Sequence, residues 1–224
     1  LTCNWHNWKF RVTTGECVVG EDHVRRYPVR VEGQDVYVDL TDPPAQIVRE
    51  RGMKALRVAF DKRQVGRMAR ELARMDVAGV DPVVGVREAL RWTADRFEYG
   101  LTHAWAAAAE GLGRYDEATD RSGRIEALVE ALDHMSFDVL RQPRFPFTED
   151  VAPWDVDRFL TAVEDEDEDA AVARIRGALA AGLGWETLEP SLARAALAHY
   201  GDLGHTLIYV TVVGRLIGRF GDGF

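Results

Sequence analysis

Cys3 and His6 stand three positions apart in LTCNWHNWKF, with Trp5 and Trp8 beside them. A thiol and an imidazole at that spacing offer one sulfur and one nitrogen donor, which is half of a four-ligand metal site. Four chemistries use such a pair. A zinc finger needs a second clustered pair, and none follows nearby. Attachment of c-type haem needs Cys-x-x-Cys-His, which does not fit. A Cys/His nucleophilic pair needs side chains that face each other. Residues three apart on a strand-and-turn segment rarely do. The fourth is an iron–sulfur centre of mixed ligation, in which two cysteines hold one iron and two histidines the other.

Of the five further histidines, four lie in the later, helical part: His103, His134, His199 and His205. His103 and His205 start two runs that are apolar nearly all round, and such helices pack centrally. At a buried helix N-terminus the dipole disfavours the charged imidazole. A neutral imidazole suits metal ligation or proton transfer. His103 and His205, with His199, are therefore the expected catalytic lining of a pocket, with Glu98, Glu110 and Asp202 near in sequence. His199 shares a helix side with Leu188, Leu192 and Ala195, which places it in a buried or interfacial position. His134 lies opposite the stripe Ile125, Leu128, Leu132, Met135 and Val139, so it should face solvent or a partner. His23 belongs to a polar loop, and Cys17 reads as a small buried hydrophobe.

Two stretches echo each other. YGLTHAWAAAAEGLGRYDE and GDLGHTLIYVTVVGRLIGRFGD both carry Leu-x-His before an apolar helix and Gly-Arg-aromatic after it. A duplicated helical unit would give such a pattern. The acidic run 164–169 lacks the spaced glycine and ligand alternation of a calcium loop, so it reads as a solvated linker. No Glu-x-x-His pair of the di-iron type and no Gly-rich nucleotide fingerprint is present.

The elements that must position these residues fall into two kinds. Before residue 42 the chain reads as strands. Trp8–Thr13 alternates, Thr14-Gly15-Glu16 turns, and Val29, Val31, Val36 and Val38 alternate around a Gly-containing turn. Beyond Asp42-Pro43-Pro44, helical spacing dominates. Helices are predicted near 45–51, 61–76, 83–98, 101–112, 123–141, 154–164, 168–181, 186–199 and 203–219. Asp61 and Asp81 are predicted N-caps, and Gly52, Gly79, Gly100 and Gly201 are predicted stops. RQPRFPFTEDVAPW reads as a long connection.

The segment CNWHNWKFRVTTGECVVGEDHVRRYPVRVEGQDVYVDL resembles the second half of a Rieske ferredoxin-like domain. In that family Cys-x-x-His is the second ligand box. A small or polar residue, an aromatic and a Phe follow it, then a Thr-Gly turn, a loop and a closing hairpin. Cys3 and His6 stand at the ligand positions and Trp8 and Phe10 at the aromatic ones. Thr14 and Gly15 make the turn, and Tyr27-Pro28-Val29 enters the hairpin. The resemblance implies a [2Fe–2S] cluster held by Cys3 and His6, with Trp5 and Trp8 packing around the loop, and single-electron transfer as its use. The family's first box, Cys-x-His, precedes the second, and this sequence starts after it. The other two ligands are therefore expected upstream, and the chain as written is not expected to hold a normal cluster. Cys17 lies beyond the turn, where the family places no ligand. The helical part does not resemble the catalytic domain of ring-hydroxylating oxygenases, which carries a two-His-one-carboxylate iron. Its His-bearing helices have a faint likeness to the questin oxidase-like proteins.

The 224 residues are 46% hydrophobic and carry a formal net charge of -9, enough for a sizeable core and unfavourable for general nucleic-acid binding. The apolar stretch Leu203–Val213 is too short to span a bilayer, and two cysteines do not make a disulfide scaffold. The expected architecture is α+β, mainly α: a truncated Rieske-type β fragment over residues 1–42, then an all-α multi-helix domain over 45–224. The expected function is electron transfer in a cytoplasmic oxidoreductase or oxygenase system. The partner would be a redox protein (a reductase or an oxygenase), and the architecture is compatible with a homo-oligomer. Two alternatives stand beside it. In one, the helical domain is a His-lined oxidoreductase with its own substrate pocket, fed by the cluster. In the other, it is a non-catalytic assembly module.

Overall fold

The computed structural model describes residues 1–20, 22–96 and 103–221, apart from the side chain of Asp202. The chain is mainly helical, with two small antiparallel hairpin sheets ahead of the helices. It divides into two compact units, Leu1–Val48 and Arg49–Phe224.

In the first unit, β1 (Lys9–Phe10) pairs with β2 (Cys17–Val19), Phe10 lying opposite Cys17. The turn between them closes on Arg11, whose C=O accepts from the N–H groups of Thr14 (3.2 Å) and Gly15 (2.8 Å). Gly15 is buried at φ +72°, and a Cβ there would sit 2.4 Å from the carbonyl oxygen of Val24, so only glycine fits. The second hairpin pairs β3 (Val29–Glu32) with β4 (Asp35–Val38) across a two-residue loop, Gly33-Gln34. Its glycine takes φ +64°, the positive value that short hairpin loops demand. The alternating valines are as predicted, yet Val29, Val31, Val36 and Val38 are all exposed. An isolated hairpin is marginal in water, so this one carries no core of its own.

The second unit is built on α1 (Ala45–Asp61), α2 (Val65–Val77), α3 (Val83–Thr93), α4 (Ala104–Glu117), α5 (Arg121–Val139) and α9 (His205–Phe220). Leu56, Phe60, Met68, Leu72, Met75, Leu90, Leu128, Leu132 and Met135 form a continuous buried core among them. Between α5 and α9 lie α6 (Val156–Glu164), α7 (Glu168–Ala180) and α8 (Trp185–Ala198). These bury a smaller set that includes Phe159, Ala173 and Leu188. The packing of α4 on α5 is close because Gly111 faces Ala127 and Ala131; a Cβ on Gly111 would lie 2.7 Å from the Ala131 methyl.

Several predicted boundaries move. Gly52 does not stop α1. It is buried mid-helix, where a Cβ would come 3.0 Å from Met75 Cγ, so its smallness serves a helix crossing. Asp61 ends α1 rather than capping α2, which starts at Val65. Asp81 does cap, accepting from the Val83 N–H at 3.0 Å, and Gly79 ends α2 at φ +78° as predicted. Helix α3 ends at Thr93, short of the predicted 98. Gly100 and Glu98 lie outside the described residues. The acidic run is a linker: Glu166 takes φ +55° and the Asp167 carboxylate accepts from the Ala170 N–H to begin α7.

Candidate functional site

The first candidate is the turn that carries Cys3 and His6. The Asn7 N–H donates to the Cys3 C=O (2.9 Å), and the Cys3 N–H donates to the Trp8 C=O (2.7 Å). Asn7 takes φ +56°, a left-handed value that asparagine tolerates better than most residues. These two bonds close a tight turn around Cys3 and His6. Hydrogen bonds from His6 first, then Trp5, hold the thiol pKa below its ordinary value, opposed by slight desolvation. A lowered thiol pKa favours thiolate, the form that ligates metals. The His6 imidazole is exposed, and its ring centroid lies 5.6 Å from Trp8, which in turn lies 6.4 Å from Phe10. Trp8 is half-buried and supports the loop as expected. Trp5 does not pack on it: 86% of Trp5 is exposed.

Cys17 and His23 take no part in that turn. Cys17 is half-buried, its thiol 3.3 Å from the Val19 C=O, and its N–H donates to His23 Nδ1 at 2.9 Å. His23 is exposed, in keeping with its polar loop. It also ties the loop after β2 to the strand, which sequence spacing does not reveal.

The second candidate is the pair His103 and His205. Their Nε2 atoms approach to 3.4 Å across 102 residues of sequence, with the rings edge to face. Helices α4 and α9 bring them together by running parallel, start to start and end to end. At the far end, Arg219 holds the Asp116 carboxylate with both guanidinium nitrogens. The described parts of the two echoing sequences, α4 and α9, are therefore neighbours in space. Three local devices set the start of α9. Leu203 (φ +59°) and Gly204 (φ +79°) both turn left-handed, Gly204 packs against the Tyr200 ring, and Thr206 Oγ1 donates to the Ala196 C=O at 3.3 Å. The start of α4 is tied to α3 by Trp105 Nε1, 3.4 Å from Thr93 Oγ1.

The expectation of burial fails for both residues: His103 is exposed and His205 half-buried. Their helices pack along their length, and the imidazoles sit at the rim where both helices begin. His199 does not join them. It is exposed (45% of the side chain) and pairs with Glu164 at 3.2 Å, so its expected burial is also overturned. His134 is exposed as predicted, and Glu110 is exposed on α4. Among the described residues no group of three or more His, Cys, Asp or Glu is placed to hold a metal ion. A cleft of about 400 Å³ is lined by Asp76, Pro82, Thr119, Asp120, Arg121 and Arg124, and no histidine reaches it. Its charges are already paired, Arg121 to Asp76 at 2.6 Å and Asp120 to the start of α5.

The Asp116–Arg219 pair fixes the parallel packing electrostatically. The Arg219 guanidinium bonded to Asp116 is the main cause that lowers the carboxyl pKa. A lowered carboxyl pKa stabilises the fold above the ordinary carboxylate range and loses that stabilisation as pH falls through the folded value. The pair is partly exposed, so its contribution is under about 1 kcal/mol. Thermal melts of Asp116→Asn should therefore fall slightly below the parent near neutral pH and converge with it in strong acid. A constant gap at every pH would remove the ion pair from the account.

Compared with protein-family models, with curated proteins and with solved structures, the chain matches none. Among the described residues no helix is long and apolar enough to cross a membrane.

Proposed function

We propose that the first unit is the second ligand half of a Rieske-type [2Fe–2S] centre, and that the chain serves electron transfer in an oxidoreductase or oxygenase system. The observation that carries this reading is the Cys3–His6 turn, closed by the Asn7 N–H on the Cys3 C=O and the Cys3 N–H on the Trp8 C=O, which presents a thiol three residues from an exposed imidazole. Hydrogen bonds that fix the turn orient its ligands. The order of ligand turn, β1–β2 pair, Thr-Gly turn and closing hairpin agrees with the resemblance. A redox partner protein follows from the chemistry, since the centre's use is to accept one electron and pass it on.

The residues fit half of the group. Cys3 supplies a thiolate and His6 an imidazole. One more cysteine and one more histidine are needed, and Cys17 and His23 are engaged with each other through the Cys17 N–H. What the chain's own residues do is limited to presenting one thiolate and one imidazole on one rigid turn, with Trp8 as its floor.

The test joins a Rieske first-ligand-box segment to Leu1 and expresses the product with iron and sulfide. About two irons and two sulfides per chain, with a rhombic EPR signal after dithionite, are expected. Cys3→Ser should abolish both, while the helical far-UV signal is retained. Failure of the joined chain to take up iron would sink the electron-transfer reading.

The convergence of His103 and His205 favours a second reading, in which the helical unit is itself a His-dependent oxidoreductase. Oxygen or substrate consumption by the purified chain, lost in His103→Ala, would support it over the first.

A further inference from the structure

We infer that His103 and His205 are two protein ligands of a solvent-accessible site for a divalent transition metal of the zinc, cobalt or nickel class, whose remaining positions take water or an anionic ligand. The proposal is independent of the iron–sulfur reading and concerns the other unit of the chain.

Distance is the first argument. Two nitrogens bound at about 2.0–2.1 Å to one tetrahedral ion lie about 3.3–3.4 Å apart. The two Nε2 atoms are 3.4 Å apart. A hydrogen bond between them would prefer about 2.7–3.2 Å. The observed spacing admits one shared ion between the two rings without moving either. Imidazole is also the donor that this class of metals favours.

Fixation is the second. Each ring stands at the first turn of its helix, and each helix start is tied down from another element. Thr206 ties α9 to α8, Trp105 ties α4 to α3, and the Asp116–Arg219 pair links the far ends. A chelating pair held on rigid elements loses little freedom on binding. Access is the third. His103 is exposed and His205 half-buried, so an ion enters from water without opening the core.

Electrostatics narrows the ligand. Because α4 and α9 run parallel, both positive helix ends lie beside the pair. Two positive dipole ends disfavour a bare cation and favour an anion bound to it. The complex that fits is therefore a metal carrying hydroxide or a small carboxylate in its open positions. Metal-bound water loses a proton readily, so such a site is suited to a Lewis-acid or hydrolytic role.

The test uses the full chain carrying Cys3→Ser and His6→Ala, free of iron, so that the outcome does not depend on the cluster. Zinc is added during calorimetry, and cobalt is added while its visible spectrum is read. One saturable equivalent is expected, and His103→Ala and His205→Ala should each weaken it at least about tenfold, because each removes one of two protein ligands. The double variant should show no saturable zinc binding at this site. Because a variant could perturb the helix starts, the parent is also followed by nitrogen-15 histidine NMR. The side-chain nitrogens of His103 and His205 should shift together on adding zinc, while those of His134 and His199 do not. Absence of saturable binding, equal affinity in the double variant, or zinc shifts confined to His134 or His199 would each overturn the proposal.

Discussion

Phe60→Ala lowers the stability of the helical unit by about 3–5 kcal/mol. Phe60 is fully buried near the end of α1, with its ring edge-on to Trp92 at a centroid distance of 5.4 Å. The backbone there is anchored as well, because Ser136 Oγ on α5 donates to the Phe60 C=O at 2.6 Å. The chain also turns sharply just beyond, where Arg63 takes φ +50° and the Gln64 N–H donates to the Ala59 C=O at 2.8 Å. A site held on three sides relaxes little into the space a ring leaves, so both the transfer and the cavity contributions are lost. Typical domains are stable by only about 5–15 kcal/mol, so the variant should unfold at markedly lower urea concentration. A loss below about 1 kcal/mol would show that α1 does not close this core.

Gly177→Ala carries the second large effect, and it arises from the absence of a single carbon atom. A Cβ on Gly177 would lie 1.7 Å from the carbonyl oxygen of Ala152, closer than any contact permits. The linker before α6 lies directly on α7 at this point. The Ala152 N–H donates to the Ala173 C=O at 2.9 Å, and Arg174 donates to the Pro153 C=O at 2.6 Å. The methyl group must push the linker off and break the first of these, so the cost should reach or exceed the usual overpacking range of about 1–3 kcal/mol. Hydrogen exchange should show faster opening of the Ala152 amide, with the α1–α5 core unchanged. Gly182→Ala makes the control for space. Nothing lies within 4 Å of its Cβ position, so only the strain of φ +75° is tested there. Equal stability of Gly177→Ala and the parent would mean that the linker does not dock on α7.

What the sequence reads out well is local. Alternating valines around a turn with one glycine made the closing hairpin legible, and helical spacing located the helical segments. Asp81 and Gly79 were legible because capping and left-handed stops act within a few residues. Gly52 was misread for an instructive reason. Glycine ends helices when it must turn left-handed, and it also sits inside helices where another element comes close. Only the presence of Met75 against it distinguishes the two cases.

The candidate sites divide in the same way. Cys3 and His6 share one turn, so their spacing alone announces them, and the structure adds the backbone hydrogen bonds that close that turn. His103 and His205 could be singled out in sequence as histidines before apolar helices. The sequence grouped them with His199 around one expected pocket, but nothing in it exposed them at a rim or sent His199 to Glu164 instead. By itself the sequence determined what each short segment would become, because propensity, turns and caps act over a few residues. The tertiary structure alone decided which segments meet. The parallel seating of α4 on α9 depends on buried packing and an ion pair across 103 residues, and no signal within either helix encodes its partner.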